Sequence, residues 1–392
     1  MLSPGMSEKL KSSILRLETW VEENRYKGPD PYDGLSSVFR PLTFHNAFAE
    51  RVLKKFVLEC PFNLRPILGV RPLESTKGRG YMVSGYMNLL KITGDESYGR
   101  KALSCLDWLI QNKSPRYAPF SWGGHYDSCS RLGKLPMLEP TIVWTALLGQ
   151  VFLDAYEMFG HEEYLDVADS ACQWIVNVPR ERTDSGSCLS YVAFEQRSAH
   201  NSNFLGAGML ARAGQLTRNS DYLKVAKEAV DYSCARQLPN GGWYYAEAGN
   251  SHWIDSFHTG YNLDSLRGYI EITKENGYRA GLSRGYRFFR DHFFDDQARP
   301  KYYHDRLYPI DIQCVSQAIE TLVKFAPDDA TALPLALDVA DWAIDHMQDE
   351  KGYFYFRKWP GMSVKIPMFQ WGQATMYKSL TMLWSQIGAQ SI

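Results

Sequence analysis

The sequence of 392 residues lacks long hydrophobic runs and any excess of charge. No segment approaches the roughly 18 uninterrupted apolar residues of a membrane-spanning helix, and the N-terminal stretch contains no apolar core of signal-peptide length. Forty-three basic residues oppose 44 acidic ones, which gives a formal net charge of −1. The overall charge therefore gives no electrostatic basis for binding nucleic acid or a membrane surface, and we expect no membrane insertion.

Motifs for redox, metal and phosphate chemistry are also missing. The seven cysteines show no CxxC spacing, and most fall inside helical patterns, so we expect a reduced, cytoplasmic protein. His252, Asp255 and His258 recur every three residues, but the segment between them has a loop composition and no second His or Cys pair follows. No Gly-rich phosphate loop is present. The sequence therefore predicts neither a metal nor a cofactor.

Aromatic residues, by contrast, are abundant. They make up 14% of the chain, with 11 Trp and 24 Tyr, which is more than core filling alone normally requires. Aromatic rings stack on the apolar faces of sugars, while the polar atoms of Tyr and Trp can bond hydroxyl groups. This composition indicates a saccharide-binding cleft.

Two classes of helical pattern alternate along the chain. One class is apolar nearly all round and rich in small residues such as Gly208, so we expect it to be buried with close helix contacts. The other class is more charged and carries an aromatic residue near its end. The apolar class covers 82–93, 141–159, 203–217, 259–273, 310–325 and 367–384, and the charged class covers 97–112, 162–178, 220–237, 277–293 and 329–347.

The N-terminal pattern at 7–25 supplies a sixth charged helix. Six inner and six outer helices predict an all-α fold, an (α/α)6 toroid, as a single domain over 1–392. Residues 1–80 then include the N-terminal outer helix and an irregular connecting segment. An open helical solenoid is the alternative architecture.

Short aromatic segments follow the outer helices, and we predict that they form strands or hairpins. Each precedes an inner helix, so all of them should lie at one end of the toroid. Free N–H groups of the inner helices at this mouth favour partly negative ligand groups. These segments are 121–128, 188–195, 241–247, 301–305 and 352–359.

Polar and aromatic residues concentrate at this mouth. Asp255 and Asp311 are the predicted carboxylate pair for acid/base cleavage of a glycoside, with His258 beside them as a third catalytic residue. Helix capping is the alternative role for each aspartate. The predicted substrate-binding residues are His125, Tyr126, Asp127, His200, Asn201, Trp243, Trp253, Tyr261, Tyr303, Tyr308, Gln313, Tyr355, Lys365, Gln370 and Trp371.

Two other functions stay open beside glycoside hydrolysis. Uronate C5-epimerisation or β-elimination would need a base such as His258 or Tyr308 and a cation that neutralises the substrate carboxylate. Lys365, Lys358 and Arg357 are the candidates for that cation. The third possibility is a non-catalytic glycan-binding subunit. Two carboxylates in the cleft would favour hydrolysis, one cation with Tyr or His would favour uronate chemistry, and aromatic residues alone would favour binding.

Four phrases carry a resemblance to a known family. DPYDGLSS at 30–37, HTGYNL at 258–263, YPIDIQ at 308–313 and the segment from KGYFYFRKW to KIPMFQWGQATM at 351–376 resemble polysaccharide-biosynthesis proteins of the VpsJ type. The arrangement more distantly resembles six-hairpin glycosidases and the helical domain of glucuronyl C5-epimerases. The resemblance implies a role in bacterial polysaccharide biosynthesis. We expect an oligo- or polysaccharide substrate and either a homodimer or a polysaccharide-assembly complex.

Overall fold

The computed structural model of the protein describes residues 4–130 and 133–389. Helices dominate the described chain. Thirteen α-helices are present among these residues. They are α1 (Pro4–Glu23), α2 (Ala47–Glu59), α3 (Thr76–Thr93), α4 (Glu96–Gln111), α5 (Ile142–Phe159), α6 (Glu162–Val176), α7 (His200–Thr217), α8 (Ser220–Cys234), α9 (Ser256–Thr273), α10 (Arg279–His292), α11 (Ile312–Phe325), α12 (Ala332–Met347) and α13 (Ala374–Ala389).

Six of these helices form a closed inner ring. Helices α3, α5, α7, α9, α11 and α13 pack successively, and α13 returns to pack on α3. The more charged helices α4, α6, α8, α10 and α12 pack outside them, and α1 lies against α12 and α13 as the sixth outer helix. The predicted (α/α)6 toroid is therefore confirmed. The ring closes because the inner helices are apolar all round and can be buried by neighbours on every side.

Helix boundaries follow local capping. Inner helix α3 begins at Thr76, six residues before the predicted start, because the Ser75 side chain accepts a hydrogen bond from the Gly78 N–H. Asp255 and Asp311 cap α9 and α11 in the same way. Gly94 ends α3 in the left-handed conformation, where a residue without Cβ is unstrained. These caps place the starts of the inner helices at one end of the toroid.

A single hydrophobic core runs through both rings. It extends from Leu10 in α1 to Ile387 in α13. Helix α5 is long and apolar enough to cross a bilayer by composition, but 61% of it is buried within the protein. Among the described residues it is the one helix with that property, and its burial is that of a core helix.

Short strands decorate the mouth. Part of the strand prediction was wrong, because 241–247 and 301–305 contain no strand. Trp243 is buried in the core instead, and its indole Nε1 donates to the Ser233 carbonyl at 2.8 Å. The strands are β1 (Lys27–Gly28), β2 (Leu73–Glu74), β3 (Ser128–Ser130), β4 (Gly133–Leu135), β5 (Arg180–Thr183), β6 (Gly186–Leu189), β7 (Ile310–Asp311), β8 (Arg357–Trp359) and β9 (Met362–Val364). They pair antiparallel as β1–β2, β3–β4, β5–β6 and β7–β8–β9.

The irregular segment between α1 and α3 carries helix α2 along the mouth. Helix α2 packs on the turn Asp33–Ser36 and on β3. A small separate core of Val57, Leu68 and Val70 holds it together. The buried ion pair between Arg65 Nε and Asp33 Oδ2, at 2.6 Å, ties the segment together internally.

Candidate functional site

A cleft of about 450 Å³ lies at the mouth where the inner helices begin. A second hollow of about 640 Å³ occupies the opposite end of the toroid. Tyr261 borders both spaces, and its hydroxyl lies 3.3 Å from that of Tyr81. In the hollow the buried charges neutralise one another, because Lys324 bridges Asp264 at 2.9 Å and Glu320 at 2.7 Å. The mouth cleft is therefore the candidate site.

One wall of the cleft holds an aspartate–histidine dyad at the start of α9. Asp255 Oδ2 lies 2.7 Å from His258 Nδ1 and accepts a hydrogen bond from Trp253 Nε1 at 3.0 Å. Asp255 Oδ1 accepts from the His258 backbone N–H at 3.0 Å. Because an ionised carboxylate only accepts hydrogen bonds, the dyad fixes the His258 proton on Nδ1 and leaves Nε2 as the basic atom.

Aromatic packing fixes the His258 ring. The ring centroids of Phe257 and Tyr245 lie 4.0 Å and 4.7 Å from that of His258. Tyr245 also stacks on Trp253, with centroids 4.7 Å apart and planes 10° from parallel. The His258 side chain is 20% exposed, and its Nε2 makes no hydrogen bond to the described part of the chain. His258 therefore has one nitrogen held by the protein and one available to a ligand.

The opposite wall combines aromatic rings with a buried lysine. Tyr32 lies between Trp144 and Trp371, with ring centroids 5.8 Å and 5.5 Å away. Lys77, in the first turn of α3, places its ammonium 4.6 Å from the Trp144 ring centroid. Burial lowers the pKa of Lys77 to about 8, although the charge of Asp30 opposes this shift. Burial, reinforced by Asp33, raises the pKa of Asp30 to about 7.

Basic side chains outnumber carboxylates around the cleft. Among the described residues that line it, Asp255 is the one carboxylate, and it is already engaged with His258. The basic residues of the lining come from three distant parts of the chain. They are Arg51, Lys54 and Lys55 of α2, Lys77 of α3, and Arg197 of the loop before α7. The electrostatic environment of the cleft thus favours an anionic ligand.

Several tyrosines in the lining remain protonated at neutral pH. Burial raises the pKa of Tyr261 and of Tyr191 to about 12. Burial likewise raises the pKa of Tyr245 and of Tyr302 well above the usual value of 10.0. These hydroxyls can donate hydrogen bonds but cannot act as ready bases, so the Nε2 atom of His258, which the dyad leaves unprotonated, is the group suited to accept a proton.

The structure brings part of the sequence-predicted set to the cleft. Each of the four phrases that resemble the VpsJ type contributes to the lining, through Tyr32, through His258 and Tyr261, through Gln313 and through Trp371. The predicted residues that line the cleft are Asp255, His258, Tyr126, Asn201, Trp253, Tyr261, Tyr303, Gln313 and Trp371.

Asp311, the second carboxylate of the predicted pair, does not line the cleft. Its side chain is 1% exposed and accepts from Arg357 Nε at 2.6 Å. Its other oxygen accepts from the Gln313 backbone N–H at 2.9 Å. Both oxygens are therefore occupied by capping and by a buried ion pair, and Asp311 is not brought together with Asp255 in the cleft.

Other predicted residues also lie outside the lining. His200 is buried between Ser233 and Glu247, at 3.0 Å and 2.8 Å from its ring nitrogens, and Trp243 packs in the core. Gln370 Nε2 donates a hydrogen bond to Asp30 Oδ2 at 2.7 Å, so Gln370 positions Asp30 without lining the cleft itself. Also outside the lining are His125, Asp127, Tyr308, Tyr355 and Lys365.

The cations of the cleft are not those that the sequence suggested. Arg357 is paired with Asp311, and neither Lys358 nor Lys365 lines the cleft. Lys77 was missed because its helix was predicted to begin at residue 82. A lysine in the first turn of a buried helix is itself a signal of a functional role, because the positive end of the helix dipole disfavours a cation there. The described residues hold no cluster of three or more His, Cys, Asp or Glu arranged for a metal ion.

No protein-family model matches the chain, and no curated protein matches it in sequence. Solved structures are similar in fold. An unsaturated glucuronyl hydrolase specific for heparin superposes with a TM-score of 0.64 at 12% identity, covering 99% of this chain and 98% of that one. Cellobiose 2-epimerase from Bacillus thermoamylovorans gives 0.62 at 10% identity, over 81% and 90% of the two chains. A GH76 α-mannanase from Bacteroides thetaiotaomicron gives 0.62 at 11% identity, over 81% and 87%. At these identities the similarity establishes the six-hairpin toroid fold shared with these proteins, and the fold alone.

Proposed function

We propose that this protein is a carbohydrate-active enzyme that acts on an acidic saccharide bound in the mouth cleft. His258 removes the proton from the carbon next to the substrate carboxylate, and a basic side chain neutralises that carboxylate. The reaction class is uronate C5-epimerisation or β-elimination. This function was the second possibility from the sequence, and it replaces glycoside hydrolysis as the preferred one.

The composition of the cleft carries this proposal. Hydrolysis by an acid and its partner needs two carboxylates that face the same bond. The described lining provides one, Asp255, which orients His258, together with five basic side chains. A single carboxylate bound to a histidine, beside cations and protonated tyrosines, suits proton abstraction better than acid-assisted cleavage of a glycoside.

Each step has a residue suited to it. Lys77, held over Trp144, binds the substrate carboxylate and so stabilises the negative charge that develops when the neighbouring C–H bond breaks. The proton moves to His258 Nε2, and Asp255 stabilises the imidazolium that forms. Return of a proton to the opposite face of the carbon gives the epimer. Loss of the substituent on the next carbon, with its bonding electrons, gives the unsaturated uronate.

Three further observations support the proposal. The unsaturated glucuronyl hydrolase with the same fold is specific for heparin, an acidic saccharide, and its structure matches nearly the whole of this chain. Cellobiose 2-epimerase shows that the fold accommodates epimerisation of a sugar. The four VpsJ-type phrases all reach the cleft. We therefore propose a role in polysaccharide biosynthesis, in the cytoplasm, for a homodimer or a subunit of an assembly complex.

The experiment that tests this function is incubation with uronate-containing oligosaccharides in deuterated water. We expect NMR to show replacement of the uronate H5 by deuterium, with an inverted centre for epimerisation. The ultraviolet absorbance of the unsaturated product would instead identify elimination. His258→Gln should slow either reaction by about a hundredfold or more, because the general base is lost, while oligosaccharide affinity changes little.

Two aspartate variants form the matched control. Asp255→Asn should lower the rate and retain stability, because asparagine also caps a helix well. Asp311→Asn should leave Arg357 short of its partner, costing about 3 kcal/mol of unfolding free energy, with little effect on rate in the folded enzyme. Release of new reducing ends without H5 exchange and without the ultraviolet absorbance of an unsaturated product would establish hydrolysis instead. Binding without any turnover would establish a glycan-binding subunit.

A further inference from the structure

Helix α2 and the turns on either side of it expose apolar side chains that the core does not use. Phe44 is 86% exposed and Ile67 is 78% exposed, values typical of charged surface residues rather than of large hydrophobic ones. Clustered exposure of this kind marks an interaction surface. We call this cluster the α2 surface, and its members are Val38, Phe39, Leu42, Phe44, Phe48, Val52, Phe56, Phe62 and Ile67.

The exposed face of α2 is separate from the face that stabilises the fold. Val57 is buried with Leu68 and Val70, and Leu53 packs against this small core. Phe48, Val52 and Phe56 recur every four residues and so form a stripe along a different side of the helix. The buried face of α2 packs on the small core. The stripe of Phe48, Val52 and Phe56 does not take part in that packing and stays exposed among the described residues.

The segment that carries the α2 surface is rich in basic residues although the whole chain is nearly neutral. Residues 38–71 contain six Lys and Arg but two Glu. Glu50 is buried and forms ion pairs with Arg40 and Lys134. Glu59 pairs with Arg357 at 3.2 Å and more loosely with Lys55 at 3.8 Å. The Lys55 side chain, beside Phe56, is 71% exposed. Cations therefore border the exposed phenylalanines, and the nearby carboxylates are already paired.

We propose that the α2 surface docks on an anionic lipid bilayer, with α2 lying in the headgroup region. An amphipathic helix with Phe on one side and Lys and Arg beside it binds such an interface through apolar burial and attraction to anionic lipids. The side chains of Phe44, Phe62 and Ile67 come from separate turns and are 86%, 74% and 78% exposed. A fluid bilayer accepts projecting side chains, whereas a protein partner needs a complementary pocket for each of them.

Docking would bring the cleft to the membrane surface. Arg51, Lys54, Lys55 and Leu58 of α2 also line the mouth cleft, so the same helix borders both sites. A saccharide presented at the bilayer surface would then lie beside the cleft entrance. The docking proposal does not depend on the reaction that the cleft performs.

The test is co-sedimentation of the full chain with vesicles of phosphatidylcholine alone and of phosphatidylcholine with phosphatidylglycerol. We expect binding to the anionic vesicles, weakening as salt is added. The double variant Phe44→Ser/Phe48→Ser should weaken partitioning roughly tenfold or more, since two exposed rings no longer enter the bilayer. Lys55→Gln should weaken it about fivefold.

Matched controls lie far from the α2 surface. Leu216→Ser changes an exposed leucine at the other end of the toroid, and Lys11→Gln removes an exposed charge from α1. Both should bind vesicles as the unaltered protein does, and circular dichroism should show every variant folded. Equal binding to both vesicle types, or equal losses in the controls, would overturn the proposal. Sedimentation velocity showing a dimer that the phenylalanine variant dissociates, without vesicle binding, would assign the surface to a second copy of the chain.

Discussion

At the scale of single residues, the surroundings of Lys77 determine what its ammonium group can do. The side chain is buried against Trp144, forms no salt bridge with the described residues, and has its pKa lowered to about 8 by burial. Asp30 behind it has a raised pKa of about 7. A lysine in this state is costly for the free protein, and an anionic ligand would supply the missing countercharge.

Lys77 gives a prediction about pH. Affinity for an acidic oligosaccharide should fall as pH rises through about 8, because the deprotonated amine no longer attracts the carboxylate. Lys77→Gln should weaken binding by about tenfold and should remove most of this pH dependence. Titration calorimetry with an acidic and a neutral oligosaccharide measures both effects. An unchanged pH profile in the variant would show that another cation binds the carboxylate.

The same pKa shift affects stability. Between about 8 and the usual 10.5 the unfolded chain binds a proton at Lys77 that the folded protein has lost. The free energy of unfolding should therefore rise with pH across this window. Urea unfolding at several pH values should show that rise in the unaltered protein and a smaller one in Lys77→Gln.

At the scale of helices, glycines decide how closely the inner ring packs. A Cβ added at Gly85 of α3 would lie 2.3 Å from the buried Tyr377 ring of α13. A Cβ at Gly208 of α7 would meet Ser265 at 3.6 Å, an ordinary contact, and Gly208 borders the hollow at the far end of the toroid. Helices α7 and α9 therefore approach closely at Gly208 but leave room for a single Cβ there.

These two glycines form a matched pair for a stability experiment. Gly85→Ala should lower the free energy of unfolding by about 1–3 kcal/mol, because Tyr377 must shift within a packed core. Gly208→Ala should be neutral or stabilising by about 0.5–1 kcal/mol, because alanine favours a helix interior. Urea unfolding curves give both values. Equal effects in the two variants would contradict the ring contacts described between α3 and α13.

At the scale of the whole molecule, net charge and cysteine content describe the protein incompletely. A net charge of −1 conceals a basic segment along α2 and a cationic cleft.

All seven cysteines are free thiols, and five of them are buried. Burial raises the pKa of Cys172 and Cys314 well above the usual 9.0, so these thiols are poor nucleophiles and act as core residues.

The cysteines provide a prediction for the complete chain. Mass spectrometry of the denatured, non-reduced protein after alkylation should show seven modified cysteines. In the native protein, alkylation should be slow at the buried positions, because the thiols are shielded and protonated. Native disulfides in the purified protein would contradict the free-thiol assignment, and with it the proposed cytoplasmic location.

The sequence by itself determined the helix classes, their number and the end of the toroid at which the inner helices begin and the candidate site lies. It also identified Asp255 and His258, because these residues sit three apart at one helix start, and local spacing is sufficient to relate them. Only the tertiary structure decided which carboxylates and cations face the cleft. Asp311 is neutralised by Arg357, which lies 46 residues away in the chain, and Lys77 reaches the cleft beside cations from other segments. Periodicity reports the preferences of neighbouring residues, whereas side-chain exposure and pairing depend on contacts between elements that only the closed ring brings together.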